Sequence, residues 1–152
     1  MTGTRVDHSA IRVHDVDASL RFYRDGIGLE VLMDHEFSGD WLTLFDVPAT
    51  TLRSVFLGDR SHPHAGVVEL VVFGEGDAGH ATSPPPGPGF FLLSFDVDVE
   101  EVLARLAGLG FGPARRIAQP SPSGPVAMAT LPDPDGVCIE LIGVVPAEGG
   151  SR

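Results

Sequence analysis

Two stretches of this chain share one feature: a single glutamate inside an otherwise apolar run that is typical of a β-strand. Glu69 lies in residues 66–73 (GVVELVVF), and Glu140 lies in residues 136–142 (GVCIELI). A buried carboxylate normally pairs, binds a metal or takes up a proton, because leaving water as an isolated charge is costly. One such glutamate is equally well explained by a strand with one face in water, but two in matched settings indicate a functional site.

The sequence around the two glutamates repeats, which predicts an internal duplication. Each glutamate run follows a turn that ends in glycine, and before that turn comes another strand-like run. Each half also begins with a short apolar run that leads into a helical segment. The paired segments are residues 9–13 and 93–97 (strand), 15–24 and 98–106 (helix), and 52–57 and 126–131 (strand).

Each half therefore predicts a strand, a helix and about three further strands. The fold class is α+β, built from two tandem βαβββ modules at residues 5–74 and 89–145. A Gly/Pro-rich linker at residues 75–88 joins them, and residues 146–152 are expected to form a flexible tail.

Helix boundaries and strand faces follow from local sequence. Asp15 and Asp98 are expected to cap the two helices, with Glu101 completing a capping box. In the first strand, the two-residue period places Ile11 and Val13 on the helix-covered face and points His8 to the opposite face. We therefore expect His8 on the face that the glutamates could share.

Composition limits the partners of the chain. With 152 residues and a net charge of −11, it is expected to be a soluble acidic protein that binds a small molecule and neither nucleic acid nor an anionic membrane. The single cysteine and the polar amino-terminal residues favour a cytoplasmic location.

Residues 8–31 (HSAIRVHDVDASLRFYRDGIGLEV) resemble the opening module of the vicinal oxygen chelate (VOC) superfamily. This superfamily includes glyoxalase I, bleomycin-binding proteins and extradiol dioxygenases. The resemblance covers about residues 5–145, and its most specific parts are the helix with FYRD and the late DPDG before Glu140. It implies that the two modules form a cupped, mostly antiparallel mixed sheet (glyoxalase-like fold), and that the protein is a homodimer.

The resemblance also implies a metal site. Its metal-dependent members take one ligand from the first strand and one from the last strand of each module. On this chain those positions are His8, Glu69 and Glu140, while the fourth falls on Leu92, which cannot bind a metal. Three ligands would still hold one divalent ion (Zn, Ni, Co, Mn or Fe) and leave positions open for water and a chelating substrate.

The implied chemistry is that of a glyoxalase-like or epimerase-like lyase or isomerase. A Lewis-acid metal would stabilise charge on a small oxygen-chelating carbonyl substrate, with Glu140 or Glu69 moving a proton at the neighbouring carbon. Two alternatives stay open. One is a metal-free ligand-binding protein of the bleomycin-resistance type, which Leu92 favours, and the other is an extradiol-type dioxygenase.

Residues 34–50 interrupt the first module and have no counterpart in the second, so they are expected to form a short helix or lid beside the site. Within this polar loop lies His35, which could replace the missing ligand, as could His62. The expected substrate-pocket residues are Trp41, Phe45, Arg53, Phe56 and Leu92.

Overall fold

The computed structural model of the chain describes residues 6–74, 90, 92–122 and 124–145. The chain divides into two compact units, Met1–Ala81 and Thr82–Arg152, and each contains one four-stranded sheet. This confirms the α+β fold with two tandem modules. Because the expected linker and the expected tail lie outside the described residues, their boundaries stay predictions.

The first unit has the expected order of elements with one addition. Strand β1 leads into helix α1, which continues as a π-helical segment; β2, the added short helix α2, β3 and β4 follow. The sheet order is β1-β4-β3-β2, with β1 parallel to β4 and the other pairs antiparallel. The bounds are β1 Ser9–Arg12, α1 Val16–Leu20, π-helical segment Arg21–Ile27, β2 Glu30–Ser38, α2 Trp41–Phe45, β3 Thr51–Gly58 and β4 Val68–Phe73.

The second unit repeats this topology without the added helix. Its sheet order is β5-β8-β7-β6, and again only the first pair, β5 with β8, is parallel. The bounds are β5 Leu93–Asp96, α3 Val99–Gly108, β6 Arg115–Gln119, β7 Val126–Pro132 and β8 Cys138–Val144. The predicted duplication is thus confirmed element by element.

Both helices begin where the sequence predicts. The Asp15 carboxylate accepts hydrogen bonds from the backbone N–H groups of Asp17 (3.0 Å) and Ala18 (3.2 Å), and Asp98 accepts one from Glu101 (3.0 Å). The capping box is only half formed, because the Glu101 side chain instead accepts a hydrogen bond from Arg105 one turn later.

The two faces of the first sheet differ in burial. One face forms the core with α1 and the π-helical segment, and it includes Ile11, Val13, Val55 and Leu70. Ala10 on β1 and His8, directly before this strand, line the cavity on the opposite face, as the two-residue period predicts.

Residues 34–50 are more regular than expected. They contain the predicted short helix, α2, whose first turn is capped by a hydrogen bond from Thr43 N–H to the Asp40 carboxylate (3.0 Å). However, His35 lies on β2 opposite Ser54 and not in a loop, because β2 pairs with β3 continuously from Met33 to Ser38. In the described part of the chain, no helix is long and apolar enough to cross a membrane.

Candidate functional site

The first unit brings two of the proposed metal ligands into direct contact. His8 Nε2 lies 3.0 Å from Glu69 Oε2. The second carboxylate oxygen, Glu69 Oε1, accepts a hydrogen bond of 2.6 Å from the Ser54 hydroxyl. Although β4 is otherwise apolar, Glu69 is tolerated because both of its oxygens have partners.

The other side of the imidazole is also bonded. His8 Nδ1 lies 2.7 Å from Asp7 Oδ2, and the Phe56 ring packs beside the imidazole with centroids 5.2 Å apart. A carboxylate on one ring nitrogen fixes the orientation and tautomer of a histidine and leaves the other nitrogen for a ligand. Asp7, His8, Glu69 and Ser54 therefore form one continuous polar chain, called the Glu69 chain below.

A cavity of about 370 Å³ opens beside the Glu69 chain, wholly within the first unit. Its volume is within the range of small-molecule sites, about 300–1,000 Å³. His8 and Glu69 are its polar end, Arg12 adds one cation, and the rest of its lining is apolar. The lining residues are His8, Ala10, Arg12, Phe45, Val47, Leu52, Glu69, Val71 and Phe73.

Aromatic side chains form one wall of this cavity. The Phe45 ring meets the Phe73 ring edge to face at 6.0 Å, and Trp41 stacks on Phe45 from outside the lining. The Arg12 guanidinium lies over the Phe73 ring, 5.1 Å from the ring centroid. Helix α2 thus contributes the cavity wall, with Phe45 in the lining and Trp41 supporting it.

Arg53 lies away from the cavity. Its neighbours on β3, Leu52 and Ser54, are on the site face, so the alternation of the strand turns Arg53 to the other face. There its guanidinium donates two hydrogen bonds to Asp34, of 2.9 and 2.8 Å. These hydrogen bonds lower the pKa of Asp34 below its usual value.

Glu140 occupies the equivalent position in the second unit but has different neighbours. In the parallel strand pairs, Ala10 is opposite Glu69 and Ser94 is opposite Glu140, so Leu92 is the counterpart of His8. Glu140 is half-buried, and no hydrogen bond or ion pair from the described residues reaches it.

The expected ligands and pocket residues are therefore divided between the units. His8 and Glu69 are in contact in the first unit, with Phe56 and Phe45 nearby, whereas Glu140 and Leu92 belong to the second unit. Among the described residues, no group of three histidine, cysteine, aspartate or glutamate side chains is arranged to hold a metal ion.

The remaining histidine candidate, His62, lies in the exposed turn after β3. The Ser61 hydroxyl and the His62 ring form hydrogen bonds with the Asp59 carboxylate, and these bonds lower the pKa of Asp59 to about 2. His62 is thus engaged within its own turn.

Three polar residues of the site, Asp7, Arg12 and Ser54, were missed in the sequence analysis. The two-residue period that selects His8 and Ala10 continues to Arg12, so this residue could have been found. Ser54 gave a weaker signal, because its contact with Glu69 depends on the pairing register of β3 with β4.

The Arg53 geometry predicts a pH-dependent stability effect. Replacement of Arg53 by Met should lower the free energy of unfolding at pH 7 by about 0.5 kcal/mol, a value that allows for solvent screening of this half-exposed pair. Because the pKa of Asp34 is depressed in the folded state, this stabilisation is present above the usual Asp value and is lost as the pH falls through the folded-state value. Urea unfolding at pH 7 and at acidic pH measures it.

The matched control for this prediction is Arg115→Met, which removes an exposed arginine from the edge strand β6. We expect this control variant to show no loss of unfolding free energy at pH 7 that disappears at acidic pH. An Arg53→Met effect that stays equally large in acid would contradict the assignment of Arg53 to the Asp34 pair.

Comparison with known proteins agrees with the fold. The sequence profile of the Glyoxalase/Bleomycin resistance protein/Dioxygenase superfamily matches residues 5–141. The chain is 37% identical to the lactoylglutathione lyase-like protein terB of Aspergillus terreus over 145 residues, covering 90% of this chain and 74% of the relative.

Two solved structures have the same fold. One is a glyoxalase family protein from Bacillus cereus (TM-score 0.71, 20% identity, 94% of this chain and 95% of that chain). The other is the trypanothione-dependent glyoxalase I of Leishmania major (TM-score 0.61, 27% identity, 93% of this chain and 87% of that chain). Because the profile match spans nearly the whole chain, the protein belongs to the Glyoxalase/Bleomycin resistance protein/Dioxygenase superfamily.

Proposed function

We propose that this protein is a divalent-metal-dependent lyase or isomerase of the glyoxalase type, acting on a small carbonyl compound with neighbouring oxygens. The observation that carries the proposal is the contact between His8 and Glu69 at the polar end of an otherwise largely apolar cavity. The lactoylglutathione lyase-like relative and the glyoxalase I neighbour support the same reaction class.

The donor set of the first unit fits a divalent metal. In an octahedral site with metal–ligand bonds of about 2.1 Å, adjacent ligand atoms lie about 3 Å apart, and the 3.0 Å between His8 Nε2 and Glu69 Oε2 is compatible with this. Each proposed ligand also has an outer partner, Asp7 for His8 and Ser54 for Glu69, as metal ligands usually do. Glu140 is the proposed third ligand, from the second unit.

A bound divalent ion would supply Lewis-acid stabilisation of negative charge on the substrate oxygens. The residues of the chain do the rest. The apolar lining, with Phe45 and Phe73, excludes water around the substrate, and Arg12 can pair with an anionic group on it. His8, held by Asp7, presents a fixed nitrogen at the polar end.

The two glutamates are proposed to have different roles. Glu69 has a partner on each oxygen, so its carboxylate is held in place. Glu140 has no such partner among the described residues, which leaves its carboxylate free to reorient. A carboxylate that carries a proton from one substrate atom to another is helped by freedom to reorient, so we assign proton transfer to Glu140 and the holding of the ion mainly to Glu69.

The alternative function is metal-free ligand binding of the bleomycin-resistance type. Leu92 favours it, since it removes one expected ligand, and so does the mostly apolar lining of the cavity. Under this alternative, Glu69 and His8 would form an ion pair whose charges cancel, at one end of the ligand cavity. The binding protein would not require bound metal, whereas the proposed enzyme would. The metal content of the purified protein therefore separates the two functions.

Elemental analysis of protein purified without chelator tests metal dependence. We expect close to one divalent ion per chain, and at least about tenfold weaker metal binding after Glu69→Gln or Glu140→Gln, because loss of an outer partner alone costs about 10–100-fold. Glu36→Gln is the matched control, since Glu36 is exposed on β2 and turned to the face opposite the site. Absence of metal even after addition of Mn, Fe, Co, Ni or Zn would leave the binding protein as the better account.

Steady-state kinetics at saturating metal tests the role of Glu140. With a carbonyl substrate found by screening compounds that carry neighbouring oxygens, lactoylglutathione among them, Glu140→Gln should lower kcat by about 10²–10⁴-fold, the usual contribution of a positioned acid or base. KM should change much less, because substrate binding is assigned to the cavity of the first unit. An unchanged kcat in this variant would refute the assignment, and Glu36→Gln again serves as the control.

A further inference from the structure

Ser54 is a buried hydroxyl that strand β3 by itself does not require. It lies in the middle of β3, two residues after Leu52 and directly before Val55, and only 1% of its surface is exposed. Its hydroxyl donates the 2.6 Å hydrogen bond to Glu69 Oε1. A buried hydroxyl needs a partner, but an alanine or valine at this position would satisfy the strand without one.

The position of Ser54 in the sheet explains why it reaches one particular oxygen. In the register of β3 with β4, Phe56 lies directly opposite Glu69 and Ser54 lies opposite Val71. Ser54 is therefore the diagonal neighbour of Glu69 on the same face, a separation that a long side chain can bridge. Glu69 must extend towards Ser54 with one oxygen, and its other oxygen then faces His8.

The second unit lacks this arrangement. There Thr130 lies opposite Glu140, so the counterpart of Ser54 is Met128, two residues earlier on β7. A methionine cannot hold a carboxylate in this way, since its thioether is only a weak acceptor. A hydroxyl at the diagonal position is therefore found in the first unit, where the carboxylate is held, and not in the second. Thr130 does lie directly opposite Glu140, but among the described residues no hydrogen bond joins the two.

We propose that Ser54 is a positioning residue that orients the Glu69 carboxylate towards the metal. This inference rests on the proposed function. With Oε1 tied to Ser54, the carboxylate presents Oε2 beside His8 Nε2, so the ordering of this ligand is complete before an ion arrives. Such preorganisation matters more in a site with three ligands than in one with four, because each remaining ligand contributes a larger share of the binding.

Titration of the metal-depleted protein with Co²⁺, followed by visible absorption and by calorimetry, tests the proposal without any assay of turnover. Ser54→Ala should weaken Co²⁺ binding about 10–100-fold, as loss of an outer-shell partner does. Ser54→Thr keeps the hydroxyl and should restore most of the affinity, together with the wild-type spectrum. Thermal melting of each variant verifies that it is folded.

Ser19→Ala is the matched control. Ser19 is also fully buried, but it lies on helix α1, which packs against the face of the sheet opposite the site. Its replacement should therefore leave Co²⁺ binding unchanged. Wild-type affinity in Ser54→Ala would overturn the proposal, and so would equal weakening in the Ala and Thr variants. Absence of Co²⁺ binding by the unaltered chain would instead overturn the proposed function, and this inference with it.

Discussion

The Glu69 carboxylate, held between His8 and Ser54, is the interaction on which the site depends. A glutamate in the middle of an apolar strand would ordinarily destabilise the sheet, because a charge without partners is costly to remove from water. Here each oxygen has a partner, and a neighbouring aspartate completes the chain through the imidazole. The same hydrogen bonds that make the charge tolerable also fix its direction, so that an ordered nitrogen and an ordered oxygen lie together at one end of the cavity. Local stability and the proposed chemistry therefore use the same contacts.

Duplication of the module has produced two sheets of the same topology whose glutamates are in different surroundings. Residues that are equivalent by strand register differ in kind: His8 corresponds to Leu92, and Ser54 corresponds to Met128. The first unit has kept an ordered polar site with a helix, α2, whose Phe45 closes one side of the cavity. The second unit presents a half-buried glutamate without a partner among the described residues. This difference agrees with the proposed roles, in which Glu69 holds the ion and Glu140 moves the proton. Two identical modules could not provide two carboxylates with different surroundings.

Much of this arrangement could be predicted from sequence, because it depends on short-range patterns. The two-residue period selects the face of His8, capping aspartates mark the helix starts, and repeated turns mark the two modules. Contacts that depend on strand register could not be predicted in this way. Ser54 reaches Glu69 only because β3 pairs with β4 with Phe56 opposite the glutamate. The sequence places Arg53 on a strand, but its pairing with Asp34 depends on the register of β2 with β3. The same strand pairing places His35 on β2 and not in the expected loop. The proposed metal binding in the presence of Leu92 likewise depends on ordered partners, which residue types alone do not reveal.

The central claim is that His8 and Glu69 together bind one divalent ion. Anomalous X-ray diffraction at the cobalt or zinc edge, from crystals grown with that metal, tests it most directly. We expect a single strong anomalous peak within bonding distance of His8 Nε2 and Glu69 Oε2, at about 2.0–2.2 Å for zinc, with the Ser54 hydrogen bond to Glu69 retained. An anomalous peak at another position would contradict the claim and favour metal-free ligand binding. Crystals grown with metal in which His8 and Glu69 still contact each other directly, with no ion between them, would do the same.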